Sequence, residues 1–87
     1  MRSRYDAYVS LDAAYLLETW HVSTRPEKLV LDPGVQWVRL EILGATGGGF
    51  LDAEGTVEFV AHYRGGSQHE NSRFVKVDRR WFYVDGA

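Results

Sequence analysis

Six polar side chains in this sequence are of the types that hold ligands or move protons: His21, Tyr63, Glu70, Ser72, Tyr83 and Asp85. Desolvation favours the uncharged form of a histidine or carboxylate and tunes it as a general base, and a tyrosine hydroxyl can donate to an oxygen on which charge develops. His21, Glu70 or Asp85 would be the base, and Tyr63 or Tyr83 the donor. The same groups could instead satisfy one another, or pair with Arg4 or Arg73, as buried polar residues do. Trp20 joins the candidates as either a core residue or a flat platform for a ligand.

Other chemistries fit the spacing poorly. Glu58 and His62 share a strand face, but at the strand rise they stand about 13 Å apart and cannot chelate one ion. His69 and Glu70 point to opposite faces of a regular strand, which leaves only a site built from His21 with distant carboxylates; no metal and no cofactor are expected. Gly47-Gly48-Gly49 precedes a strand, whereas a phosphate-binding loop needs a helix N-terminus behind its glycines. Ser72 lies in an extended stretch and not at the strand-to-helix elbow of a hydrolase nucleophile. The absence of cysteine removes disulfides, thiolate metal sites and a cysteine nucleophile together.

These residues must be placed by two kinds of element. Tyr5, Tyr8 and Val9 have helical spacing, which predicts a short helix over residues 2–9. Asp12 suits an N-cap, and Ala13, Leu16, Leu17 and Trp20 follow at i, i+3, i+4 and i+7. Thr24 and Glu27 have capping-box spacing, but Pro26 and then Asp32-Pro33-Gly34 allow a turn or two of helix at most. From Val35 the apolar period changes to two, with Val38, Leu40 and Ile42 on one face and Trp37, Arg39 and Glu41 on the other. Gly44 to Asp52 reads as a hairpin connection and Val57, Phe59, Ala61 and Tyr63 as the inner face of a second strand. Gly65-Gly66 turns into a third strand near Gln68 to Val77, and Asp78-Arg79 into a fourth near Arg80 to Asp85. The expected fold class is α+β, a single domain over residues 1–87 with N-terminal helices packed on a curved antiparallel sheet of about four strands.

The 87 residues are 45% hydrophobic and 25% charged, which suits one globular core and is too short for two. The formal net charge is −2 and the basic residues are scattered, so no nucleic-acid footprint is expected. Met1-Arg2-Ser3-Arg4 is not followed by an apolar run, so neither a leader nor a membrane span is expected, and a cytoplasmic setting is. Trp37, placed by alternation on the outer face beside Leu43 and Val60, would leave an apolar patch there; a homodimer surface and coverage by the chain's own loops are both open readings.

Several stretches taken in order resemble the middle domain of the bacterial YchJ-like proteins. They are Met1-Arg2-Ser3-Arg4-Tyr5, Asp12, Tyr15-Leu16, Thr19-Trp20-His21, Ser23-Thr24-Arg25-Pro26, Gly55 to Ala61, His69-Glu70, Ser72-Arg73-Phe74, Trp81, and Tyr83-Val84-Asp85-Gly86. The resemblance implies the cone-shaped nuclear transport factor 2-like (cystatin-like) fold, in which a curved sheet wraps a helix and leaves an opening at its wide end. That opening is where the six polar residues and Trp20 would meet a small molecule. Relatives often carry cysteine-rich zinc-binding SEC-C motifs at their ends and tend to have proline after the equivalent of His21. Here Val22 follows, and no cysteine is present. The function implied is a small binding or interaction module, with a dehydratase or isomerase as the alternative.

Overall fold

The computed structural model describes residues 1–87, in the order α1 (Arg2–Val9), α2 (Ala13–Glu18), β1 (Trp37–Gly47), β2 (Glu54–Tyr63), β3 (Gly66–Val77) and β4 (Arg80–Gly86). The strands form one antiparallel meander, β1-β2-β3-β4, as expected for segments joined by short turns. Arg64-Gly65 closes β2 on β3 with Gly65 at φ 104°. Asp78-Arg79 closes β3 on β4 with both residues left-handed, at φ 50° and 67°, the backbone of a two-residue primed turn whose twist matches the strands.

The helices attach to the sheet at both sides. Asp12 caps α2 by accepting from the Tyr15 N–H at 3.0 Å, and the Tyr15 hydroxyl donates to Ser3 Oγ at 2.7 Å, locking α2 on α1. Beyond α2 the chain runs beside β4: the His21 N–H donates to the Tyr83 carbonyl at 2.7 Å and the Tyr83 N–H to the Thr19 carbonyl at 2.9 Å. The Thr24 hydroxyl adds a bond to the Val84 carbonyl at 2.6 Å, so the outer edge of β4 is covered. At the other side Trp37 meets α1 edge-on, its ring centroid 6.2 Å from Tyr5 and 6.3 Å from Tyr8.

That position corrects two expectations. Strict alternation puts Trp37 outside and Val38 inside, but β1 carries a bulge between Trp37 and Arg39, so Trp37 pairs with Tyr63 and faces the helices. Val38, the extra residue, is 65% exposed. The outer face therefore lacks the aromatic that was to build a dimer patch. It carries cross-strand pairs instead: His62 with Glu41 at 3.0 Å, His69 with Glu58 at 2.7 Å and Arg73 with Asp85 at 2.9 Å. Val9, expected on the packed face of the first helix, ends that helix half-exposed, and no helix forms between Thr24 and Leu31.

Only nine residues are buried, among them Tyr5, Ala7, Leu16, Phe59, Ala61, Phe74 and Val84. Fourteen helical residues cannot cover a four-stranded sheet, and the uncovered part of its inner face becomes a hollow.

Candidate functional site

The hollow is a cavity of about 150 Å³ between α1 and the inner face of the sheet. Its roof is one stripe of α1 and its N-cap, where Met1, Arg4, Tyr5 and Tyr8 fall at i, i+3, i+4 and i+7. Trp37 from β1 and Phe59 and Ala61 from β2 make the apolar wall. Gln68, Glu70 and Ser72 project from alternate positions of β3, and Tyr83 comes from β4, to make the polar wall.

Polar groups dominate one end. Ser72, almost fully buried, donates from Oγ to Glu70 Oε2 at 2.5 Å, and the Tyr83 hydroxyl approaches Glu70 Oε1 at 3.5 Å. Gly86, opposite Ser72 in the ladder, has no side chain to obstruct this carboxylate; a Cβ there would collide with it. Burial, and next the charge of Glu70, push the Tyr83 phenol up to about 12, so it keeps its proton and remains a donor at neutral pH. Tyr8 is pushed up by burial too, with the neighbouring Arg4 opposing the rise.

Arg4 is 5% exposed, unusual for an arginine. Its Nη1 donates to the Leu16 carbonyl at 3.0 Å and to Thr19 Oγ1, so the guanidinium also ties α1 to the end of α2. The ring of Tyr83 lies 4.6 Å from the guanidinium carbon and that of Trp20 5.4 Å. Burial holds its pKa below the ordinary arginine value, and the nearby phenols Tyr8, Tyr83 and Tyr15 counter only part of that. Tyr5, also 5% exposed, has a buried hydroxyl with no hydrogen-bond partner.

Of the seven residues singled out from the sequence, the structure brings Glu70, Ser72 and Tyr83 together in the cavity wall. Trp20 stands behind that wall, edge-on to Tyr83 at 5.0 Å, with its indole N–H donating to Thr24 Oγ1 at 3.2 Å. Tyr63 packs edge-on against Trp37 at 5.7 Å, behind the apolar wall. His21 lies outside, its Nδ1 accepting from the Ser23 N–H at 3.1 Å. Asp85 also lies outside, in a two-pronged pair with Arg73 at 3.0 and 2.9 Å. A bulge explains Asp85: Arg73 pairs with Asp85 but Phe74 with Tyr83, so Val84 is the extra residue and the two flanking side chains part to opposite faces. Arg4, Tyr5 and Tyr8 were the omission, and the signal for them was present in the i, i+3, i+4, i+7 stripe that begins at Met1. No group of three metal-ligating side chains gathers anywhere in the chain.

Comparison with known proteins places this geometry in a lineage. A UPF0225 protein of Streptomyces coelicolor is 58% identical over 86 residues, covering 99% of this chain and 69% of the relative. One from Streptomyces avermitilis is 54% identical, with 61% of its length covered. The chain thus spans about two thirds of the length of these relatives. The solution structure of a SEC-C motif containing protein from Rhodopseudomonas palustris superposes with a TM-score of 0.82 at 35% identity, covering all of this chain and 73% of that one. The model of the YchJ middle NTF2-like domain matches residues 1–86, and the chain belongs to that family.

Proposed function

We propose that this domain is a binding module whose ligand is a small organic molecule held in the cavity under α1. The observation that carries the reading is a hollow of about 150 Å³ kept beside a core of only seven buried hydrophobic residues. A closed void of that size would cost about 3–4 kcal/mol relative to a filled core, a large share of what a domain this small has. The opening to solvent lowers that cost without removing it. Apolar walls with a few convergent polar groups are the usual make-up of a ligand pocket, and a hollow of this volume takes a molecule of about benzene size.

Thermal unfolding against a metabolite library tests this. A ligand at 100 times its Kd adds about 2.7 kcal/mol of stability, which for a domain of this length raises Tm by about 10 °C or more. Ala61→Leu, which extends a side chain into the hollow, should abolish the rise. A ligand whose effect survives that substitution binds elsewhere and overturns the reading.

The Glu70 cluster supports a second reading, a dehydratase or isomerase. Glu70 would take a proton as general base, and Tyr83, kept protonated by its high pKa, would donate to the oxygen that gains charge. Proton–deuterium exchange at the carbon of a bound ligand, lost in Glu70→Gln while binding persists, is the result this reading requires.

A further inference from the structure

Arg4 is a buried cation without a counter-ion. The arginine ion pairs of the protein are Arg2–Asp6, Arg39–Glu41, Arg73–Asp85 and Arg80–Glu18, all on exposed side chains, and Arg4 is in none of them. Its hydrogen bonds from Nη1 go to neutral oxygens, the Tyr8 hydroxyl is a further neutral partner of the guanidinium, and its remaining neighbours are aromatic rings and phenols. A charge removed from water and not repaid by an opposite charge is among the most expensive arrangements a core can hold. The one carboxylate in the cavity does not relieve it, because Glu70 is engaged by Ser72 and approached by Tyr83. Tyr5, in the same roof, adds a second buried polar group with nothing to bind.

Resting on the reading of the cavity as a ligand pocket, we propose that its occupant is a compact organic monocarboxylate. Its acid group would lie against the Arg4 guanidinium and the Tyr8 hydroxyl, with its apolar body against Trp37 and Phe59. The planar guanidinium matches a carboxylate in shape as well as in charge. Glu70 sets the limit on charge: the cavity lining already holds this carboxylate beside the single Arg4 cation, so one acid group on the ligand uses up the positive charge and a second would be repelled. The volume limits the body to about six to nine heavy atoms, by comparison with a benzene-filled cavity of the same size.

The test titrates the whole chain with benzoate, benzamide, benzyl alcohol and phthalate, following the indole resonance of Trp37 by NMR. Benzoate should bind at least about tenfold more tightly than the two neutral molecules, the factor expected for one charge-assisted hydrogen-bonded contact, and phthalate should bind more weakly than benzoate. Tyr8→Phe should weaken benzoate by a larger factor than it weakens benzyl alcohol, because the bond it removes is charge-assisted only for benzoate. Arg4→Lys should do the same if it folds; the ligand series on the unaltered protein does not depend on that. Equal affinity for benzoate and benzamide would overturn the charge assignment and leave the pocket standing. No response of Trp37 to any of the four would overturn both.

Discussion

The two faces of this sheet treat charge in opposite ways. On the outside, Glu41, Glu58 and Asp85 each have a partner across the ladder, where water already screens them and pairing contributes little. On the inside, where pairing would matter most, Arg4 has no acid, Glu70 has only neutral donors, and the Tyr5 hydroxyl has nothing. Stability alone would distribute partners the other way round. The inner face is therefore organised around something other than the stability of the empty protein, which is why the cavity and not the outer face is the place to look for function.

The largest effect expected from probing this contrast comes from the cavity wall itself. Phe59 is 7% exposed and packs with Tyr5 and Ala61, so Phe59→Ala should cost about 3–5 kcal/mol, enough to leave a domain of this size largely unfolded near physiological temperature. Val60, its neighbour on the outer face, should tolerate alanine with a far smaller shift in denaturant midpoint. Equal losses at the two positions would mean that the sheet is packed on both faces in solution, and the contrast would fail.

Next in size is a gain. Tyr5→Phe removes an unsatisfied hydroxyl and leaves the ring in place, so the empty protein should become more stable by about 1–2 kcal/mol, read as a rise in Tm. A loss instead would show that the hydroxyl is already satisfied in solution, and one strand of the comparison would be cut.

Much of this architecture is legible in the sequence, and the failures share one cause. Tyr5 with Tyr8, and Leu16 with Trp20, announce helices because a helix repeats faces every three or four residues; Phe59, Ala61 and Tyr63 announce a strand because it repeats every two. Glu70 and Ser72 face the cavity, two positions apart, because β3 is regular between them and the period of two holds. Trp37 and Asp85 were misplaced because a bulge inserts one residue and reverses the parity of everything beyond it. Nothing in Val38 or Val84 marks a bulge. Arg4 was considered only as a partner for the polar residues and not as part of the lining, for a different reason: arginine is ordinarily a surface residue, and only the roof stripe that begins at Met1 shows it turned inward.

A third measurement concerns pH and isolates the polar end of the cavity. The Tyr83 phenol is raised from 10.0 to about 12 by burial first and by the charge of Glu70 second. The unfolded chain loses this proton near pH 10 and the folded protein holds it longer. The contribution is therefore complete below pH 10 and disappears as pH climbs from 10 to about 12. Stability should fall across that window, and Tyr83→Phe should flatten the fall, with Tyr8→Phe acting in the same direction. An unchanged slope in both variants would mean that the phenols are as hydrated as in the unfolded chain, and the cavity would be wider than the structure shows.

The smallest effect belongs to the best-made ion pair. Arg73 and Asp85 meet through two hydrogen bonds, which raise the arginine pKa, yet both side chains are more than half exposed. Holding two long side chains in one geometry in water costs entropy that offsets most of the attraction. A double-mutant cycle with Arg73→Ala and Asp85→Ala should give a coupling below the change at Tyr5. It should vanish in molar salt, where the screening length shrinks to about 3 Å. A coupling that is large and indifferent to salt would show the outer face covered in solution, by a second copy or another chain. In that case the pairs outside would be the buried ones, and the asymmetry that directs attention to Arg4 would no longer distinguish the two faces.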